Sequence, residues 1–240
     1  DPPMSFRHDI EPVLMRAGCN AGACHGAASG KNGFGLSLFG FDPPTDYMNL
    51  TREARGRRLD ASHPDESLML LKPIGAVDHE GGSRIEKDDE LYSMLRRWIA
   101  EGAVNDPAET KGLTGISVMP PEAVIEGAGT QQRFIVQATY DDGSVRDVTS
   151  LSILSTGDTQ TLTIEGDGVA TSTGRGEVYV MARFGTFAEI AQIICIPQDE
   201  VVEWPEVQPA NYVDEMIYAQ LKKLRVAPAE NISALCWMMI

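Results

Sequence analysis

Cys19-Asn20-Ala21-Gly22-Ala23-Cys24-His25 is the stretch that decides how the first hundred residues are read. Two thiols flank four small residues, and an imidazole follows the second thiol directly. Asn, Ala, Gly and Ala carry little bulk, so the backbone can bulge between the thiols without steric penalty. Upstream, Phe6, Ile10, Val13 and Leu14 recur at helical spacing, which predicts a helix over 5–17 ended by Gly18. Downstream, the glycine- and alanine-rich run to Gly35 predicts a loop.

Cys-x-x-Cys-His is the attachment signature of c-type haem: two thiols add across the vinyl groups and the His is set beneath the iron. Here the spacer is four residues rather than two. Spacing alone therefore leaves three chemistries open. One is haem. Another is a zinc site of Cys19, Cys24 and His25, completed by His8, His63 or His79. The third is a Cys19–Cys24 disulfide. A thiol nucleophile is disfavoured, because no Asn or Asp is legible as an orienting partner.

Working outward, 62–72 predicts a short helix capped by Ser62 or Asp65. Residues 88–101 predict a longer one. Asp88 is the expected cap, Leu91, Met94, Leu95, Trp98 and Ile99 make the apolar stripe, and Gly102 is the stop. Residues 105–114 read as a linker. The texture then changes to short β-type runs: Val118, 134–140, 145–148, 162–164, 178–180 and 190–196. Turn signals separate them at Asp141-Asp142-Gly143, Gly166-Asp167-Gly168 and Gly174-Arg175-Gly176. Strands this short and regular predict a β-sandwich. Cys195 falls in the last run and reads as a buried, inert thiol, whereas Cys236 lies in an unpatterned tail. From Pro197 to Pro209 the chain is acidic and proline-rich, a second linker, and 211–224 predict an amphipathic helix.

Acidic residues outnumber basic ones 35 to 20, which argues against nucleic-acid binding, since phosphate contacts need clustered Lys and Arg. The charge keeps the chain soluble and could steer it toward a basic redox partner. No apolar run is long enough to predict a transmembrane helix. Residues 1–3, Asp-Pro-Pro, start without a basic n-region or apolar h-region, so an export signal is expected to lie outside this sequence.

The stretch 19–34, CNAGACHGAASGKNGF, followed by LSLFGFDPPTDY (36–47), resembles the planctomycete cytochrome c domain family. ARGRRLDASHPDESLMLLKPIGAVDHEGGSRI (54–85) and LYSMLRRWIAEGA (91–103) extend the resemblance over 5–104. Residues 114–197 resemble a bacterial Ig-like domain of group 2, through YDDGSVRDVTS and GVATSTGRGEVYVMARFG. NYVDEMIYAQLKKLRVAP (211–228) resembles the start of a downstream domain of unknown function. These resemblances imply a multidomain chain. A small all-α cytochrome c-like haem domain (1–105) would precede an all-β Ig-like sandwich (114–197), followed by a linker and the truncated start of a third domain (198–240).

The family resemblance also implies one covalent haem c on Cys19 and Cys24 in a Cys-x4-Cys-His arrangement, with His25 as proximal ligand. His79, in the Asp78-His79-Glu80-Gly81-Gly82 loop, matches a His of the family motif and is the expected distal ligand. Met69 is the alternative, although its Leu-rich neighbourhood reads first as core. Met94 and Met119 are weaker thioether candidates, and His8 and His63 read as exposed or charge-paired groups. Arg55 to Arg58 could face haem propionates or an acidic partner. No catalytic residue is expected. The implied function is one-electron transfer to an unidentified redox partner or a downstream domain, in the periplasm or another extracytoplasmic space. A small-ligand sensor or haem enzyme with an open coordination site, and a structural or surface-binding module, are the competing classes.

Overall fold

The computed structural model describes residues 3–199 and 201–228. Cys236 and the unpatterned tail lie outside the described residues. The chain is of mixed class: a few short helices in its first hundred residues, mostly β-strand thereafter.

It divides into two compact units. The first comprises Asp1–Ser117, Val136–Ile153 and Ala182–Glu189. It opens on a single π-helical turn, Phe6–Ile10, where the Ser5 side chain accepts the His8 N–H. The turn runs into α1, Glu11–Arg16, with Pro12 in the first turn, where a missing N–H costs nothing. Gly18, at φ +75, ends it as expected. Next come α2 (Pro43–Thr51) and α3 (Leu68–Leu71). The helix expected over 62–72 is instead a 3-10 turn, Pro64–Glu66, and the single turn of α3, because Ser67 between them is extended.

The strongest apolar stripe yields α4, Glu90–Ala100. Its cap is Asp89, one residue beyond the expected Asp88, and the Asp89 carboxylate accepts the Leu91 N–H. Leu91, Leu95, Trp98 and Ile99 are buried. The Trp98 ring centre lies 5.5 Å from that of Phe6, which also meets Tyr47 edge-on at 5.3 Å. The Trp98 indole N–H donates to the Val104 carbonyl, so this large side chain is buried without an orphaned donor. This unit also holds most of a sheet ordered β1-β4-β5: Leu113–Met119, Ile135–Tyr140 and Val145–Asp147.

His8 departs from the sequence reading. It is buried, with Nε2 2.7 Å from the Lys111 carbonyl and its ring 4.9 Å from that of Tyr140. Beside it, Asp9 accepts from Arg146 at 2.6 Å. Sequence periodicity carries no trace of this neighbourhood, because its partners come from residues about a hundred or more positions away.

The second unit comprises Val118–Ile135, Leu154–Met181 and Ile190–Ile240. Most of two further sheets lies in it. One is ordered β2-β10-β9-β6, from β2 (Glu122–Glu126), β6 (Ile153–Thr156), β9 (Gly176–Phe184) and β10 (Phe187–Ile196). In it β10 runs parallel to β2, with Gln192 opposite Glu122 and Ile196 opposite Glu126. The other is ordered β3-β8-β7, from β3 (Gln131–Arg133), β7 (Leu162–Ile164) and β8 (Val169–Ser172), with β8 antiparallel to both neighbours. β2, β3, β6 and β8 are not among the expected runs. Cys195 is fully buried in β10, as its apolar neighbours predicted. Residues 201–210 hold no helix or strand, and α5, Tyr212–Lys223, follows with Asn211 as cap.

Candidate functional site

A cavity of about 590 Å³ opens in the first unit. Volumes of roughly 300–1,000 Å³ are usual for small-molecule and cofactor sites. Cys19, Cys24, His25, Met69 and His79 all line it, so the residues singled out from the sequence converge on one place.

α1 delivers the first three. The turn after Gly18 is closed by Cys19 N–H donating to Leu14 and His25 N–H donating to Cys19. Gly26 is needed here: a Cβ at this position would fall 2.0 Å from the Asn20 carbonyl oxygen. The two cysteines are free thiols. Burial pushes the Cys19 thiol up to about 12, with the neighbouring Cys24 adding to the shift.

The imidazoles carry the most information. His25 and His79 lie with ring centroids 6.3 Å apart and planes inclined by 13°. His25 Nδ1 is 3.1 Å from the Phe34 carbonyl and His79 Nδ1 is 2.9 Å from the Gly82 carbonyl. A carbonyl only accepts, so each Nδ1 carries the hydrogen and each Nε2 keeps a free lone pair. Burial lowers the pKa of His25, which keeps it neutral and able to ligate. The His79 loop is fixed by its own turn: Gly82 N–H donates to the His79 carbonyl, and Lys72 Nζ donates to the Asp78 carbonyl. Gly81 passes so close that a Cβ there would sit 2.8 Å from His79 Cε1.

The walls are apolar at Leu14, Phe34, Leu36, Leu68, Met69 and Pro73, and cationic at Lys31, Arg57, Arg58, Lys72 and Arg84. Against five cations stand two acids, Asp78 and Glu80, so the cavity is positive in a chain whose net charge is −15. Arg58 is the most buried of the five. Its guanidinium stacks 4.2 Å from the Phe34 ring centre and donates to the Asn49 and Glu53 carbonyls. Arg84 reaches within 3.7 Å of the Cys24 sulfur.

No known family profile matches this chain, and no curated protein does. Solved domains of the S-layer protein SbsC align with it loosely. Domains 4 and 5 share 14% identity over 36% of this chain and 53% of theirs, with a TM-score of 0.31. Domains 5–6 share 13% over 42% and 52%, with a TM-score of 0.32. Domains 1–6 share 15% over 40% of this chain and 14% of that one, at 0.33. This chain thus spans about half of the two-domain structures and a small part of the larger one. Similarity at this level carries neither a fold nor a function.

Of the three histidines considered as a fourth zinc ligand, His79 alone lines the cavity. His63 lies elsewhere, on the surface, where its ligand atom and those of Asp60 and Glu66 fall within 4.8 Å of one another. Sequence reasoning missed the roles of Gly26, Arg84 and the Phe34 and Gly82 carbonyls. For Gly26 the available signal is the glycine itself, which permits a close backbone approach. No helix among the described residues is long and apolar enough to cross a membrane.

Proposed function

We propose that this chain is an extracytoplasmic electron-transfer module carrying one covalent haem c on Cys19 and Cys24, with His25 and His79 as the axial ligands. The observation that carries the reading is the pair of near-parallel imidazoles 6.3 Å apart, each with Nδ1 tied to a carbonyl and Nε2 free. Metal–imidazole bonds of about 2 Å on opposite sides of one ion put the two ring centres roughly 6–6.5 Å apart. Tying the second nitrogen to a carbonyl is how ligating histidines are oriented.

The rest of the cavity fits the same group. Free thiols stand beside His25, apolar side chains supply the walls for a macrocycle, and the surplus of cations suits two propionates. Arg58, held by two carbonyls and by Phe34, is the best-fixed anion partner. Haem would supply a one-electron couple. The chain's own residues hold the two imidazoles in one tautomer, exclude bulk water with Leu14, Leu36 and Met69, and place positive charge at the rim. His79 is favoured over Met69 as the distal ligand because its ring lies nearly parallel to that of His25, 6.3 Å away, with Nδ1 already tied to a carbonyl. Ligation by both imidazoles would leave no position open on the iron, which would suit electron transfer and disfavour the sensor or enzyme class.

On this reading, the first unit contains a cytochrome c-like haem domain, the strands beyond it form an Ig-like spacer, and α5 begins a further domain. The direct test is the pyridine-haemochrome spectrum of chain expressed with a haem-attachment system. A c-type spectrum and a haem adduct on the Cys19–His25 peptide are expected; a colourless chain with two free thiols overturns the proposal.

A further inference from the structure

Cys24 is held from another part of the cavity wall. The Arg84 guanidinium donates to its Sγ through Nη2 at 3.7 Å, and both residues line the cavity. Among the described residues, no other side chain bonds to either sulfur of the Cys19–His25 loop. Sulfur is a weak acceptor, so the contact adds little stability; what it fixes is the direction of the sulfur. The guanidinium is free for this role. No carboxylate among the described residues pairs with Arg84, whereas Arg96, Arg97 and Arg146 each hold one.

The segment that carries Arg84 is itself well anchored. The Arg84 backbone N–H donates to the Pro73 carbonyl at 2.7 Å, and the Ser83 hydroxyl lies within hydrogen-bonding distance of the same carbonyl. Ile85, the next residue, is buried. On the other side stands His79. Its carbonyl accepts the Gly82 N–H, and its Nδ1 donates to the Gly82 carbonyl. Gly82, at φ +68, takes the left-handed turn there that glycine allows without penalty. The stretch 79–84 thus brings one imidazole and one guanidinium to the cavity together.

The attachment loop has a use for such a hold. Four residues separate its thiols, so their relative placement is less determined than in Cys-x-x-Cys. Ala21, Gly22 and Ala23 carry no group that can bond to a sulfur, and Gly22 and Ala23 are exposed.

We propose that Arg84 is a positioning residue for covalent haem attachment at Cys24, turning the second sulfur into the cavity and tying it to the loop that carries His79. The proposal rests on the haem reading above. In the step it serves, Cys24 gives up its S–H hydrogen and forms one C–S bond to a vinyl carbon. The hydrogen ends on the neighbouring vinyl carbon, so atoms balance and no electron is gained or lost. Arg84 keeps its hydrogen bond to the sulfur and transfers no proton.

The test compares the whole chain with Arg84→Ala and Arg84→Lys, each expressed with a haem-attachment system, then denatured, alkylated and mapped by mass spectrometry. In the parent, Cys19 and Cys24 should both be joined to haem and escape alkylation. Arg84→Ala should keep haem on Cys19 and leave Cys24 alkylated in most molecules. Its pyridine-haemochrome band should move to longer wavelength, because one vinyl group stays conjugated with the ring. Arg84→Lys, which keeps a charged donor, should restore most of the second bond. Arg84 is exposed, so the haem-free alanine variant should melt with the haem-free parent, which separates lost positioning from a lost fold. Cys24 joined as fully in Arg84→Ala as in the parent overturns the proposal, and so does a loss shared equally by both cysteines. A parent without covalent haem overturns the haem reading itself; a haem-bearing parent with an unaffected alanine variant overturns the positioning role alone.

Discussion

The His25 and His79 rings stand 6.3 Å apart, nearly parallel, with both Nδ1 atoms turned to backbone carbonyls. If both Nε2 lone pairs bind one iron, the unsubstituted ferrous chain has no open position for an added ligand. His79→Ala opens one. The expected outcome is that the reduced variant binds carbon monoxide and shifts its spectrum, while the parent does not respond. A parent that binds carbon monoxide as readily as the variant would mean that His79 is not a ligand.

Two glycines yield space beside those histidines, Gly81 to the His79 ring and Gly26 to the backbone of the Cys19–His25 loop. A methyl group at Gly81 would sit 2.8 Å from His79 Cε1, so Gly81→Ala should push the ring off its axis and loosen distal ligation. The loop is at the surface, so the melting temperature should move little, within the ~0.5 kcal/mol typical of such sites. Gly26→Ala is harsher, because its methyl would meet the Asn20 carbonyl at 2.0 Å, and backbone cannot give as a side-chain end can. If haem is held as proposed, that variant should lose it altogether. Haem absorbance per mole of protein, read beside a melting curve, separates the two effects.

The thiols make a separate prediction. Burial holds Cys19 protonated far above neutrality, so neither metal capture nor ready oxidation is expected of it in the free chain. Cys19→Ser and Cys24→Ser should each leave haem held by a single thioether, and the double variant should hold none after acid-acetone extraction. Intact mass spectra read all three. Haem retained covalently by the double variant would relocate the attachment site.

Much of this site was legible in the sequence because its signals are local. The thiols and His25 sit within seven residues, and the α4 stripe needs only its 3.6-residue period. The pairing of His25 with His79 was not legible from spacing. It came from the family resemblance, since 54 positions separate the two residues. What stayed hidden depends on distant contacts. His8 reads from the sequence as an exposed, capping or charge-paired group. It is buried by Lys111 and Tyr140, whose positions only the fold determines. Strands β2 and β6 escaped for a related reason. Glu122–Glu126 begins and ends on Glu, and Ile153–Thr156 is short and half-buried throughout, so neither shows a clear alternation.

Trp98 tests whether the first unit depends on its aromatic core. The ring is 1% exposed, packs against Phe6, and satisfies its N–H at the Val104 carbonyl. Trp98→Ala empties that space, at a cost of about 3–5 kcal/mol. Trp98→Phe keeps most of the volume and leaves the Val104 carbonyl without its donor, so it should cost less. Urea titration of the two variants should give that order, with the alanine variant the first to unfold.

The last prediction concerns pH and comes from two carboxyls with opposite shifts. Glu11 is raised in the fold from 4.5 to about 9, by burial first and then by Asp46. Between these values the folded chain binds a proton that the unfolded chain has released, so stability falls as pH rises. The Glu11 contribution is complete below about 4.5 and is lost as pH climbs through about 9. Asp65 works the other way: hydrogen bonds from Arg96 and then Tyr92 hold it down to about 2. Its contribution is present above the ordinary carboxylate range and is lost as pH falls toward 2. Asp65 is solvent-exposed, so the acid-side loss should stay below ~1 kcal/mol. Glu11→Gln should flatten the alkaline arm of the stability profile and leave the acid arm in place, while Asp65→Asn should do the reverse. Denaturant melts across pH 2 to 10 would check both, and an alkaline arm that survives Glu11→Gln would mean that the buried proton sits elsewhere.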